Sequence, residues 1–221
     1  LSNSINDAIE VLKSARIEDI DNQFVLDDNK YEELIDDLEK MRDIEVNSKD
    51  KGEKLEKLLV KLLEGTNLFK CRANIRTSTN EIDIRAEKSV LFNNVKDNYN
   101  FDIEDIIYFE CKNYKKPIDV TWTGKFHSLL NASNTSLGIF ISPKGLTGNK
   151  WSDAHGLCKK LYLKTGIKII SITSDDFRDL NKKSLIMIIK NKIEELTEDI
   201  ELDNALKETH PIENNYFGWG I

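Results

Sequence analysis

The stretch Ile106-Ile107-Tyr108-Phe109-Glu110-Cys111-Lys112 places two opposite charges at the end of a strongly apolar segment. A strand alternates its side chains between two faces, so Tyr108, Glu110 and Lys112 share one side while Ile107, Phe109 and Cys111 share the other. Burying a carboxylate and an ammonium in such a strand costs several kcal/mol unless they are paired or put to use. That cost makes this strand the natural centre of the fold and of any chemistry the chain performs.

Working outward, helix and strand periods alternate. On the N-terminal side, Leu55, Leu58, Leu59, Leu62 and Leu63 recur at three and four residues, which predicts a helix from about 52 to 64 closed by Gly65. Strands are expected at about 68–76 and 81–92, the second with Ile82, Ile84 and Ala86 on one face and Glu81, Asp83 and Arg85 on the other. The Asn- and Asp-rich residues 93–105 read as a long hairpin tip. C-terminal to the central strand come a helix at about 119–132, a strand at 137–142, a helix at 150–163 and a strand at 167–172. The order helix, three strands, helix, strand, helix, strand specifies an α/β domain with a mixed central sheet.

The flanks are helical. Ile5, Ala8, Ile9 and Leu12 predict a helix over about 5–17 with Ser4 as its cap, and Leu34, Ile35, Leu38 and Met41 a second over about 29–46; together they read as an antiparallel pair. The polar segment 47–52 marks the entry to the main domain. Beyond Ser174 a helix is expected over about 175–196, broken near Asn181, then an acidic stretch and the aromatic end Tyr216-Phe217-Gly218-Trp219-Gly220-Ile221. The division is residues 1–46 as a helical extension, 47–180 as the main domain and 181–221 as a helical tail with an aromatic terminus.

Composition narrows the class. At 221 residues and 39% hydrophobic, the chain suits one well-cored globular domain with extensions. No run approaches the roughly 20 apolar residues of a membrane span, and no signal peptide is visible. Three cysteines, Cys71, Cys111 and Cys158, without a C-x-x-C pair, argue against a disulfide framework or a zinc knuckle and for a reducing, cytoplasmic setting. The net charge of −7 conceals a basic block, since residues 112–168 carry ten lysines against two acidic residues. Such a block suits a polyanion, with Lys115, Lys116, Lys125, Lys144 and Lys150 as nucleic-acid contacts, although a solvated lysine-rich surface has the same composition.

Phosphodiester hydrolysis needs an activated water, neutralisation of transition-state charge and help for the leaving oxygen, which clustered carboxylates holding magnesium can supply beside a lysine. Asp83 and Glu110 fall on neighbouring strands, Lys112 faces the same way as Glu110, and Glu56 lies at the edge of the leucine stripe. Taken singly, Glu56 reads as a solvated helix glutamate and Asp83 as a strand-end residue; the convergence distinguishes them. His127, His155 and His210 are scattered and read as packed or surface residues. The segment Lys144–Lys150 lacks the spacing of a nucleotide-binding loop. Trp122, Phe126 and Trp151 in the basic block are core contacts or base-stacking groups.

In these residues the chain resembles the PD-(D/E)xK nuclease superfamily, and within it the Mrr-like restriction endonucleases, over about 51–177. The matching segments are Gly52-Glu53-Lys54-Leu55-Glu56, Glu81-Ile82-Asp83-Ile84, Phe109-Glu110-Cys111-Lys112-Asn113-Tyr114 and Gly138-Ile139-Phe140-Ile141-Ser142. The resemblance implies a restriction-endonuclease-like α-β-β-β-α-β core. It implies Asp83, Glu110 and the Cys111 carbonyl as ligands of a first Mg²⁺ (Mn²⁺ substituting), Glu56 on a second metal or its water, and Lys112 orienting or helping to deprotonate the attacking water. Ile82 stands where the family name has proline, and the 26 residues between Asp83 and Glu110 exceed a tight hairpin, so an insertion at 93–105 is expected, placed to touch substrate.

The implied activity is a Mg-dependent endodeoxyribonuclease acting on double-stranded DNA in restriction or anti-phage defence, as a homodimer or beneath an upstream sensor domain. An RNase or junction-resolving nuclease, a non-catalytic nucleic-acid-binding module on the same fold, and an interaction domain working through residues 1–50 and the aromatic tail are the competing readings.

Overall fold

The computed structural model describes residues 7, 10, 11, 14–42, 48–76, 81–99, 103–113, 116–148 and 152–198. Its helices are α1 (Ile17–Asp21), α2 (Asp28–Arg42), α3 (Ser48–Gly65), α4 (Val90–Val95), α5 (Val120–Ala132), α6 (Ala154–Thr165), α7 (Ser174–Arg178) and α8 (Leu185–Glu198). The strands β1 (Phe69–Arg76), β2 (Glu81–Lys88), β3 (Ile106–Cys111), β4 (Leu137–Ile141) and β5 (Lys168–Ile172) form one sheet in sequential order. Strands β1, β2 and β3 are antiparallel, while β3, β4 and β5 are parallel and joined through α5 and α6. The expected mixed α/β architecture is therefore present. None of the described helices is long and apolar enough to cross a membrane.

The central strand is packed as its alternation requires. Ile107 and Phe109 are fully buried, as are Ile84 and Ala86 beside them on β2 and Ile139 on β4. In a parallel ladder, registered residues point to the same face, so the pairs Tyr108–Gly138 and Glu110–Phe140 put Glu110 on the side of the sheet that α5 covers. Phe126 of α5 meets Phe140 at 4.7 Å between ring centroids. Gly138 makes that approach possible, because a Cβ there would stand 2.5 Å from the Leu130 side chain. Across β1, β2 and β3 lies α3, whose Leu55, Leu58, Leu59 and Leu63 are buried; each contributes about 1.5–3 kcal/mol to holding the helix that carries Glu56.

Several boundaries differ from the sequence expectation. Helix α3 begins at Ser48, so Gly52 lies inside it, and the left-handed turn that follows is made by Asn67 (φ 57°) rather than Gly65. Strand β2 stops at Lys88 because the Ser89 side chain accepts the Phe92 N–H at 3.2 Å and starts α4. The supposed hairpin tip is thus a packed insertion: Phe92, Val95, Tyr99 and Ile103 are buried, and Phe92 lies 5.4 Å from the Phe69 ring. The expected break near Asn181 is present between α7 and α8. Ile5, Ala8, Ile9 and Leu12, the apolar positions of the helix expected over 5–17, lie outside the described residues, as do residues 43–47 and the whole aromatic terminus.

The N-terminal segment joins the same core through Ile20, Leu34 and Met41. A buried polar node pins it. Asp21 accepts hydrogen bonds from the Tyr99 hydroxyl at 3.0 Å, the Ser184 N–H at 3.0 Å and the Ser184 hydroxyl. One carboxylate thereby ties α1, the insertion and the start of α8 together.

Candidate active site

Two carboxylates meet where β2 begins and β3 ends. The antiparallel register pairs Arg85 with Tyr108 and Ile84 with Phe109, so one residue further along Asp83 stands across from Glu110. The Cys111 N–H donates to Asp83 Oδ2 at 2.7 Å, a charge-assisted bond that fixes the aspartate against the end of the central strand. Ile82 and Cys111, the neighbours of these acids on the opposite face, are buried. The alternation that buries them is what sends the acids the other way.

Lys112 lies one residue past β3, yet its N–H donates to the Ile141 carbonyl at 2.8 Å and continues the ladder. Its ammonium pairs with Glu110 Oε1, and both side chains are 13% exposed. The same ammonium stands 4.8 Å from the centroid of the Trp122 ring, and the Lys125 ammonium stands 5.0 Å from it. Trp122 occupies the first turn of α5, where the Asp119 carboxylate accepts the Trp122 N–H at 3.2 Å and the Thr121 N–H at 2.9 Å.

The charges are crowded. The Glu110 carboxyl is pushed up to about 6, first by burial and next by the neighbouring Asp83, with Glu56 adding to the rise and Lys112 opposing it. Burial followed by Asp83, Glu56 and Glu110 pushes the Cys111 thiol far above its usual range. Glu56, half-buried on α3, is therefore near enough to act on both residues at the end of β3. The structure brings Glu56, Asp83, Glu110 and Lys112 to one edge of the sheet.

Among the described residues, no three His, Cys, Asp or Glu side chains stand as a ready-made metal shell; Glu110 is turned to Lys112 and Asp83 accepts from the Cys111 amide. In chemistry the donor set nevertheless suits a hard divalent cation, since it consists of carboxylate oxygens whose mutual repulsion already shows in Glu110. Just past the end of β4, the buried Ser142 hydroxyl has no hydrogen-bond partner among the described residues.

Among the basic residues, Lys116, Lys125 and Lys144 are exposed, and Lys115 and Lys150 lie outside the described residues, as does Trp151. The cation–π contacts of Trp122 were not legible in the sequence, because they depend on where α5 starts relative to β3. His127 is buried, its ring held below the usual histidine range by burial, with Nε2 3.2 Å from the Thr165 hydroxyl. The described residues of the insertion lie toward the start of β3. They border a cavity of about 490 Å³ lined by Lys88, Lys96, Asp105, Leu137 and Lys168, at the start of β3, about 13 Å along the strand from Glu110.

Residues 48–177, from the start of α3 into α7, match the family model described as Restriction endonuclease, Mrr_cat. No curated protein matches the chain. Among solved structures, the crystal structure of a protein of unknown function, AF1548, is 17% identical with a TM-score of 0.34, the match covering 61% of this chain and 63% of that one.

Proposed function

The chain belongs to the restriction endonuclease family, and from that premise we propose that it is a metal-dependent endonuclease hydrolysing DNA phosphodiester bonds. The observation that carries this reading is Glu110, largely removed from solvent at the end of the central strand, its carboxyl pushed up by burial and then by Asp83 and Glu56, with Lys112 as its ammonium partner. A fold has no structural reason to gather three acids there, and a divalent cation offsets their repulsion.

Asp83, Glu110 and the Cys111 carbonyl would hold the first Mg²⁺ or Mn²⁺, and Glu56 a second ion or its water. When bound, the ion supplies Lewis-acid polarisation of the scissile phosphate and a template for the attacking water. The chain's own groups do the rest. Lys112 keeps a fixed positive charge beside the reacting phosphate, where an ammonium in a partly desolvated site acts far more strongly than in water. Its Nζ–H groups orient the water, and Glu110, which Lys112 holds in place, sets the position of that ammonium. Lys115, Lys116, Lys125, Lys144 and Lys150 would contact the phosphate backbone and give binding a steep salt dependence.

The proposed organisation is a nuclease domain at 47–180 with a helical extension before it and a helical tail after it. We assign it to restriction or anti-phage defence in the cytoplasm, as a homodimer or beneath a sensor domain.

The deciding experiment incubates the protein with plasmid, single-stranded DNA and RNA in Mg²⁺, Mn²⁺ or EDTA, beside Lys112→Ala. Cutting of DNA that requires the metal and falls by about 10²–10³-fold in the variant is expected. Cleavage in EDTA, or an unimpaired variant, would overturn the mechanism.

A further inference from the structure

Two ammonium groups stand over the Trp122 ring, and one of them belongs to the lysine assigned to chemistry. We propose that Trp122 is a positioning residue, holding the Lys112 ammonium against Glu110 at the reacting centre; this rests on the nuclease reading above. Lysine is a flexible four-carbon stem with a point charge, so the laddered backbone of Lys112 alone does not fix the ammonium. Glu110 constrains it from one direction. The ring constrains it from a second, through the attraction of a cation to the negative face of an aromatic quadrupole.

The ring is itself anchored. Asp119 caps α5 through the Thr121 and Trp122 amides, and the residue before it, Ile118, is bonded into the loop after β4 by its N–H to Gly145 O at 2.8 Å and by its carbonyl accepting the Thr147 N–H at 2.8 Å. A chain of contacts thus runs from the rigid C-terminal edge of the parallel strands through the cap and the indole to Lys112. Lys125, three residues on along α5 and exposed, reaches the same ring. Base stacking on DNA, the other role open to this tryptophan, uses the same face and makes a different prediction.

The test compares wild type, Trp122→Phe, Trp122→Leu and Lys112→Ala in steady-state cleavage with Mg²⁺. Alongside it, NMR of ¹³C-lysine-labelled, metal-free protein follows the Lys112 Cε resonance. Losing a cation–π contact predicts a fall in kcat of about 2- to 30-fold in Trp122→Leu, with KM little changed and with most of the rate restored in Trp122→Phe. The Lys112 Cε protons should show an upfield ring-current shift that Trp122→Leu abolishes and Trp122→Phe retains in part. A rise in KM at constant kcat would assign the indole to DNA instead, and equal losses in the Phe and Leu variants, or an unshifted Lys112 resonance in the wild type, would overturn the proposal. Should Lys112→Ala cut as fast as wild type, the nuclease reading falls, and the resonance still decides whether Trp122 holds Lys112.

Discussion

Two buried acids lie in different regions of this molecule and are treated oppositely by their surroundings. Asp21 is met by neutral donors, the Tyr99 hydroxyl and the Ser184 amide and hydroxyl. Glu110 is met by a lysine and by the charges of Asp83 and Glu56, and its carboxyl is pushed up to about 6. The first arrangement satisfies a carboxylate; the second leaves it poised between charged and neutral forms. Donors converge on Asp21, whereas Glu110 combines burial with like charges that the proposed divalent cation would offset.

The largest effect that sharpens this contrast is expected at Glu110. Glu110→Gln should lower metal-dependent cleavage by about 10²–10³-fold while leaving the fold intact or firmer. Its folded carboxyl lies near 6 against an ordinary value of 4.5, so the folded state holds the proton more tightly than the unfolded state. The stability this contributes is full below about pH 4.5 and is lost as the pH rises through about 6, a loss of about 2 kcal/mol. Urea unfolding in EDTA should therefore show Glu110→Gln gaining stability over wild type at pH 7.5 and little or none at pH 4.5. A variant less stable than wild type at both pH values would mean that Glu110 is held as Asp21 is.

Asp21→Ala should do the reverse. Removing the acceptor strands three buried donor hydrogens and costs about 3 kcal/mol, read as a lower melting temperature and urea midpoint. The molecules that remain folded should cleave normally, because the node lies apart from the acids at the end of β3. A loss of activity out of proportion to the folded fraction would join the two regions and break the contrast.

Much of this was legible in the chain itself. The leucine repeat of α3, the alternation of β2 and β3 and the order of elements follow from periodicity, because burial on one face of a helix or strand leaves a period in the sequence. The convergence of Asp83, Glu110 and Lys112 was legible for the same reason, each being tied to the end of a strand. Residues 93–105 were misread because the asparagines and aspartates suggested a turn, while the stripe of Phe92, Val95 and Tyr99, at helical spacing across that polar background, carried the true signal. The roles of Trp122 and Asp21 were not legible. Each meets partners on other elements, Lys112 beyond the end of β3 for the indole and Tyr99 and Ser184 for the acid, and local pattern holds no record of such meetings.

The smallest effect concerns one bond of that node. Tyr99 is fully buried, its hydroxyl kept from ionising by burial and by the adjacent Asp21. Tyr99→Phe keeps the ring and its packing, removes one of the donors to Asp21 and creates no unpaired donor. The acid retains the Ser184 amide and hydroxyl, so the cost should be about 1 kcal/mol, well below that of Asp21→Ala. Urea denaturation should register it as a lower midpoint at unchanged slope, since the folded state loses a hydrogen bond and exposes no new surface. A cost equal to that of Asp21→Ala would place the node's stability in the tyrosine bond alone, and no cost at all would show that Ser184 by itself satisfies the acid.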